Sequence, residues 1–89
     1  MRMVRVRLTS APGAHVSAMG PELIQDLLWA HAVPDDGLEH IRVRCAPQGM
    51  DVVLFLSAPG DASALQAVGL LLERLRGPLA RHGYTGLVA

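Results

Sequence analysis

The residues able to do chemistry are few and scattered. Cys45 is the only cysteine in the chain. One thiol closes no internal disulfide, and it excludes a cysteine-rich metal site. Its place in an alternating segment predicts a small inward-facing core residue rather than a reactive group. The histidines are His15, His31, His40 and His82, and none has the paired spacing of zinc ligands. His31 falls on an apolar helical stripe near a helix end and reads as a packed side chain. A phosphate loop of the G-x-x-x-x-G-K-[ST] kind needs a lysine, and there is none. Serine, histidine and aspartate all occur, but a catalytic triad is defined by geometry and not by inventory. The expectation is therefore no enzyme, no metal and no cofactor. One anion-binding expectation remains. The Gly/Pro-rich segments around Gly13 and Gly60 each precede a helix, where backbone N–H groups can hold an anion.

The elements that would position such groups follow from periodicity. Val4, Val6 and Leu8 alternate with Met3, Arg5, Arg7 and Thr9, the pattern of a half-buried strand. After a loop over 10–20, Pro21 suits the first position of a helix, and Glu22 suits the positive end of its dipole. Leu23, Ile24, Leu27, Leu28 and His31 share one face of that helix. Pro34-Asp35-Asp36-Gly37 is a turn. A second alternation begins at Leu38, setting Ile41, Val43 and Cys45 against Arg42 and Arg44. Pro47-Gln48-Gly49 turns the chain into a third strand over 51–57, apolar on both faces, and the two strands can form a hairpin. Asp61 or Ser63 can cap a second helix. Its stripe is Ala64, Leu65, Val68, Leu71, Leu72, Leu75 and Leu79, and Gly77-Pro78 should end or kink it. Tyr84 to Val88 completes a short last strand.

The order β-α-β-β-α-β predicts an α+β, ferredoxin-like two-layer sandwich. Its antiparallel sheet would run in the order 4-1-3-2 with two helices on one face. An internal repeat supports this reading: Ser10-Ala11-Pro12-Gly13 recurs as Ser57-Ala58-Pro59-Gly60. Several families with this topology carry marks that the chain lacks. Metal chaperones have M-x-C-x-x-C in the first loop, and this loop has no cysteine. Acylphosphatases need an arginine in that loop and a later asparagine, and neither is present. RNA-recognition domains place aromatics on strands one and three. Strand one has none, and Phe55 is expected to face inward. Regulatory ligand-binding domains of the ACT type share the element order, without diagnostic residues here.

Such a fold leaves one sheet face uncovered. Arg5, Arg7, Arg42 and Arg44 should lie on it. Aligning the half-repeats pairs Leu8 with Phe55 and Val6 with Val53, which turns Val53 and Phe55 inward. Val52, Leu54 and Leu56 would then form an apolar row among the arginines. Covering such a row is worth several kcal/mol at about 25 cal/mol per Å². Trp29, lying away from its helix's apolar stripe, is a second interface candidate.

Composition frames these expectations. The chain has 89 residues, 51% of them apolar, with a mean hydropathy of +0.31. That composition fits one folded domain over residues 1–89 and excludes a disordered chain. Eight basic residues, all arginine, balance eight acids, which argues against a nucleic-acid binder on bulk charge. Arg2, Arg5 and Arg7 interrupt the apolar residues of the N-terminus, so no signal peptide is expected. No apolar run approaches the roughly 20 residues that span a bilayer, and the expected setting is cytoplasmic. The leading expectation is a protein-interaction domain using Arg5, Arg7, Arg42, Arg44, Leu54, Leu56 and Trp29. It would form a homodimer or bind an acidic protein partner. The alternative is an ACT-like sensor with an anion or small molecule near Gly13 or Gly60.

Overall fold

A computed structural model describes residues 1–10 and 20–89. The alternation at the N-terminus becomes β1 (Arg2–Ser10), followed by α1 (Gly20–His31), β2 (Leu38–Ala46), β3 (Gly49–Leu56), α2 (Asp61–Arg81) and β4 (Tyr84–Val88). A single 3-10 turn, Pro34–Asp36, leads into β2. Among the described residues the architecture is α+β: one four-stranded antiparallel sheet and two helices. The strand order is β2-β3-β1-β4, which reads 4-1-3-2 from the opposite edge.

The core lies between one sheet face and the helices. From the sheet come Val4, Val6, Leu8, Ile41, Met50, Val52, Leu54 and Leu56. From the helices come Ile24, Leu28, Ala64, Val68, Leu71, Leu75 and Leu79. Leu65, expected on the α2 stripe, is instead 48% exposed. The expected side-chain cap of α2 is also absent. Gly60 is the N-cap, Asp61 is the first helical residue, and no side chain caps the helix. Nor does Pro78 end α2, which continues to Arg81. Proline removes one backbone donor, and burial of Leu79 at 2% exposure keeps the last turn on the core.

The register of β3 corrects the sequence expectation. Val4 pairs with Leu54, Val6 with Val52 and Leu8 with Met50. Directly paired residues share a face, so Val52, Leu54 and Leu56 point into the core, while Val53 and Phe55 point outward. The half-repeat misleads because side chains alternate with a period of two, and a one-residue slip exchanges the faces. Ser10 still belongs to β1, whereas Ser57 follows the end of β3. The two tetrapeptides therefore stand in different phase with their strands. Ala11, Pro12 and Gly13 of the first copy lie outside the described residues.

Two backbone features hold β2 and β3 in place. The register shifts between Leu38 and His40. An extra residue at that point lets Leu38 and Ile41 both face the core while His40 and Arg42 face outward. At the other end of β2, Ala46 pairs with Gly49 across the two-residue link Pro47-Gln48. There the β1 backbone comes so close that a Cβ on Gly49 would fall 1.8 Å from the Leu8 carbonyl oxygen.

Candidate functional site

The open sheet face is built from cross-strand rows. Arg5 of β1, Val53 of β3 and Arg42 of β2 form one row. Arg7, Asp51 and Arg44 form the next. On the other side of the Arg5 row lie Met3, Phe55 and His40. Strand alternation thus places the four predicted arginines on one surface, all exposed. Val53 and Phe55, half-buried, form its centre.

Leu54 and Leu56 do not belong to this surface. They are 0% and 1% exposed and sit in the core. The apolar contribution of β3 to the open face comes from Val53 and Phe55 instead. Met3, at 54% exposure, adds the apolar side chain from β1. Leu87, paired with Arg7, extends the same face onto β4 and is 63% exposed.

The electrostatics are one-sided. Asp51 is the acid directly paired into these rows, and its Oδ1 lies 2.5 Å from Arg7 Nε. Both side chains are about half exposed, so this bridge is screened by water and contributes little to stability. Arg5, Arg42 and Arg44 have no salt-bridge partner among the described residues. Between the rows lies a depression of about 240 Å³, lined by Met3, Arg5, Arg42, Arg44, Asp51, Val53 and Phe55. The Phe55 ring packs against His40 with centroids 5.4 Å apart and planes tilted by 40°. An apolar floor ringed by guanidinium groups can bury an apolar side chain while holding carboxylates by forked hydrogen bonds.

The remaining candidates lie elsewhere. Trp29 is on α1, in the helical layer away from this surface, and is 42% exposed. Gly60 is the α2 N-cap; its backbone is extended, and a Cβ there would meet nothing within 4 Å. Gly13 lies outside the described residues. Cys45 shares the inward side of β2, paired with Met50, but is exposed rather than packed. It sits near the hairpin on an edge strand, beyond full cover by the helices.

Sequence reasoning placed Asp36 only in the Pro34–Gly37 turn and missed its role. Asp36 is buried, and its Oδ2 accepts hydrogen bonds from the Val33 N–H at 2.8 Å and Arg74 Nη2 at 2.5 Å. Arg74 also donates from Nε to the His31 carbonyl at 3.2 Å. This cluster is satisfied internally and ties α2 to the exit of α1. Among the described residues no group of His, Cys, Asp and Glu could hold a metal ion. No described helix is long and apolar enough to cross a membrane. Comparison with known proteins returns no family model, no curated protein and no solved structure that matches this chain.

Proposed function

We propose that the chain is a ferredoxin-like, non-enzymatic interaction domain whose open sheet face binds an acidic protein partner. One observation carries this reading. Four arginines surround Val53 and Phe55 in adjacent cross-strand rows, with Asp51 the acid paired among them. The half-buried apolar centre with a charged rim matches the anatomy of protein interfaces. Charge complementarity gives the sign of the partner. Stacking two copies of this face would oppose arginine to arginine, so the face suits a different, acidic chain.

A protein fits better than a single-stranded nucleic acid. Base stacking needs exposed aromatic platforms, whereas Phe55 is half-buried and leans on His40. The acids Glu22, Asp26, Asp35, Asp61 and Glu73 lie off this face and would oppose a long polyanion wrapped beyond it.

The test is a titration of the isotope-labelled chain with a Glu/Leu-rich peptide and, separately, with single-stranded oligouridylate. The expected result is peptide-induced shifts at Arg5, Arg42, Val53 and Phe55, weakened by salt and lost in Arg42→Glu/Arg44→Glu. No movement of those resonances at low salt would overturn the proposal. Binding of the RNA in place of the peptide would overturn the choice of partner.

A further inference from the structure

The two edges of the sheet are unlike. β2 forms one edge and carries Glu39, His40, Arg42 and Arg44, with the register shift at Leu38/His40. Charges and bulges are the usual protection of an edge strand against further pairing. β4 forms the other edge and reads Tyr-Thr-Gly-Leu-Val, with no charge, no proline and no register shift against β1. No described strand pairs with its outer side.

The hydrogen-bond phase of β4 is fixed by its neighbour. The Ala89 N–H donates to the Arg5 carbonyl at 2.9 Å. Backbone groups alternate sides along an antiparallel strand, so Leu87 and Thr85 also bond toward β1. The N–H and C=O groups of Tyr84, Gly86 and Val88 therefore point away from β1, to the side where no described strand pairs. These three positions are symmetric about Gly86. An antiparallel copy of the same strand pairs Gly86 with Gly86, and Tyr84 with Val88 of the second copy, so the edge is complementary to itself.

The surroundings favour the same occupant. Leu87 and Val88 are 63% and 42% exposed. In this register Leu87 lies beside Thr85 of the second copy on the open face. On the helical side a groove of about 360 Å³ runs between α2 and β4, floored by Leu72 and Leu79. Its charged residues, Glu73 and Arg76, pair at 2.8 Å, so the rim is locally neutral and two copies can approach without like-charge repulsion.

We infer that two copies of this chain associate through β4, antiparallel about Gly86, joining their sheets into one. The pairing runs through the β4 backbone; it adjoins the arginine face at Leu87 but does not depend on the partner proposed for that face. It also sets the two arginine faces side by side rather than against each other.

Light scattering on the intact chain tests the inference, with a mass of twice 9.5 kDa expected. Leu87→Glu places like charges close to the two-fold axis, and Val88→Lys places a charge at the pairing edge. Each should return the mass to 9.5 kDa with the far-ultraviolet circular dichroism retained. Arg42→Glu/Arg44→Glu should keep the doubled mass. Hydrogen exchange on the unsubstituted chain gives a reading that needs no variant. The Gly86 and Val88 amides should be protected and should lose protection on dilution. A monomeric mass at the concentrations used for spectroscopy would overturn the inference. So would a doubled mass with these two amides exchanging freely, which would mean a different interface.

Discussion

Arg74 Nη2 lies 2.5 Å from Asp36 Oδ2, joining α2 to the turn that opens β2. The Asp36 side chain is 5% exposed and the Arg74 side chain 35%. Burying a carboxylate is unfavourable unless its oxygens are satisfied, and here Arg74 and the Val33 N–H satisfy one of them. Arg74→Ala should leave a buried charge without its counter-ion. The expected loss is about 2–3 kcal/mol, below the range for fully buried pairs because Arg74 is partly solvated. For a domain of this length that is a fall in Tm on the order of 10 °C or more. Denaturant melts of Asp36→Ala, Arg74→Ala and the double variant check it, and strictly additive losses would count against the pairing.

Gly49 should tolerate no side chain. Its Cβ would meet the Leu8 carbonyl oxygen at 1.8 Å and the Leu8 carbonyl carbon at 2.8 Å, both backbone atoms. Relief requires parting β1 from β3 beside the hairpin, where Leu8 pairs with Met50. Gly49→Ala should therefore cost about 3 kcal/mol or more, in the range of severe overpacking. Gly60→Ala is the control, because nothing lies within 4 Å of its Cβ position. Thermal melts of the two variants compare them directly, and equal melting temperatures would contradict the close approach.

Gln48 occupies the opposite situation. It holds φ at 64° in the link between β2 and β3. A left-handed conformation costs a non-glycine residue about 1–2 kcal/mol, and glycine gives back part of that through its larger unfolded-state entropy. Gln48→Gly should raise stability by about 0.5–1 kcal/mol, and Gln48→Asn by less. Both effects should appear as higher denaturation midpoints with unchanged slope.

The arginine positions are legible in the sequence because β1 alternates throughout and β2 alternates from Ile41 to Cys45. With Val4, Val6 and Leu8 inward, Arg5 and Arg7 can only face outward. β3 gives no such signal, since Val52 through Leu56 are apolar without interruption. Its phase comes from pairing with β1, and that is a tertiary fact: Val4 against Leu54 decides it. The consequence reaches the site itself, because Phe55 moves from the core to the open face and Leu54 moves the other way. Cys45 shows a second limit. Alternation identifies the side of the strand but not whether a helix covers it there. Asp36 shows a third, since its burial depends on Arg74, far away in sequence, reaching back to it.

Asp51 offers a test of the arginine face that works by gain. It lies between Arg7 and Arg44 in one cross-strand row and bonds Arg7 at 2.5 Å. The bridge is half-exposed, so removing it should change stability by less than about 1 kcal/mol. Removing it also strips the acid from that row and frees Arg7 to meet a partner carboxylate. Asp51→Asn should therefore bind a Glu/Leu-rich peptide several-fold more tightly at low salt, with the advantage shrinking as salt screens the face. Arg44→Glu should shift affinity in the opposite direction. Isothermal titration at two ionic strengths measures both effects. Equal affinities for Asp51→Asn, Arg44→Glu and the unsubstituted chain would mean that the charge of this face does not select its partner.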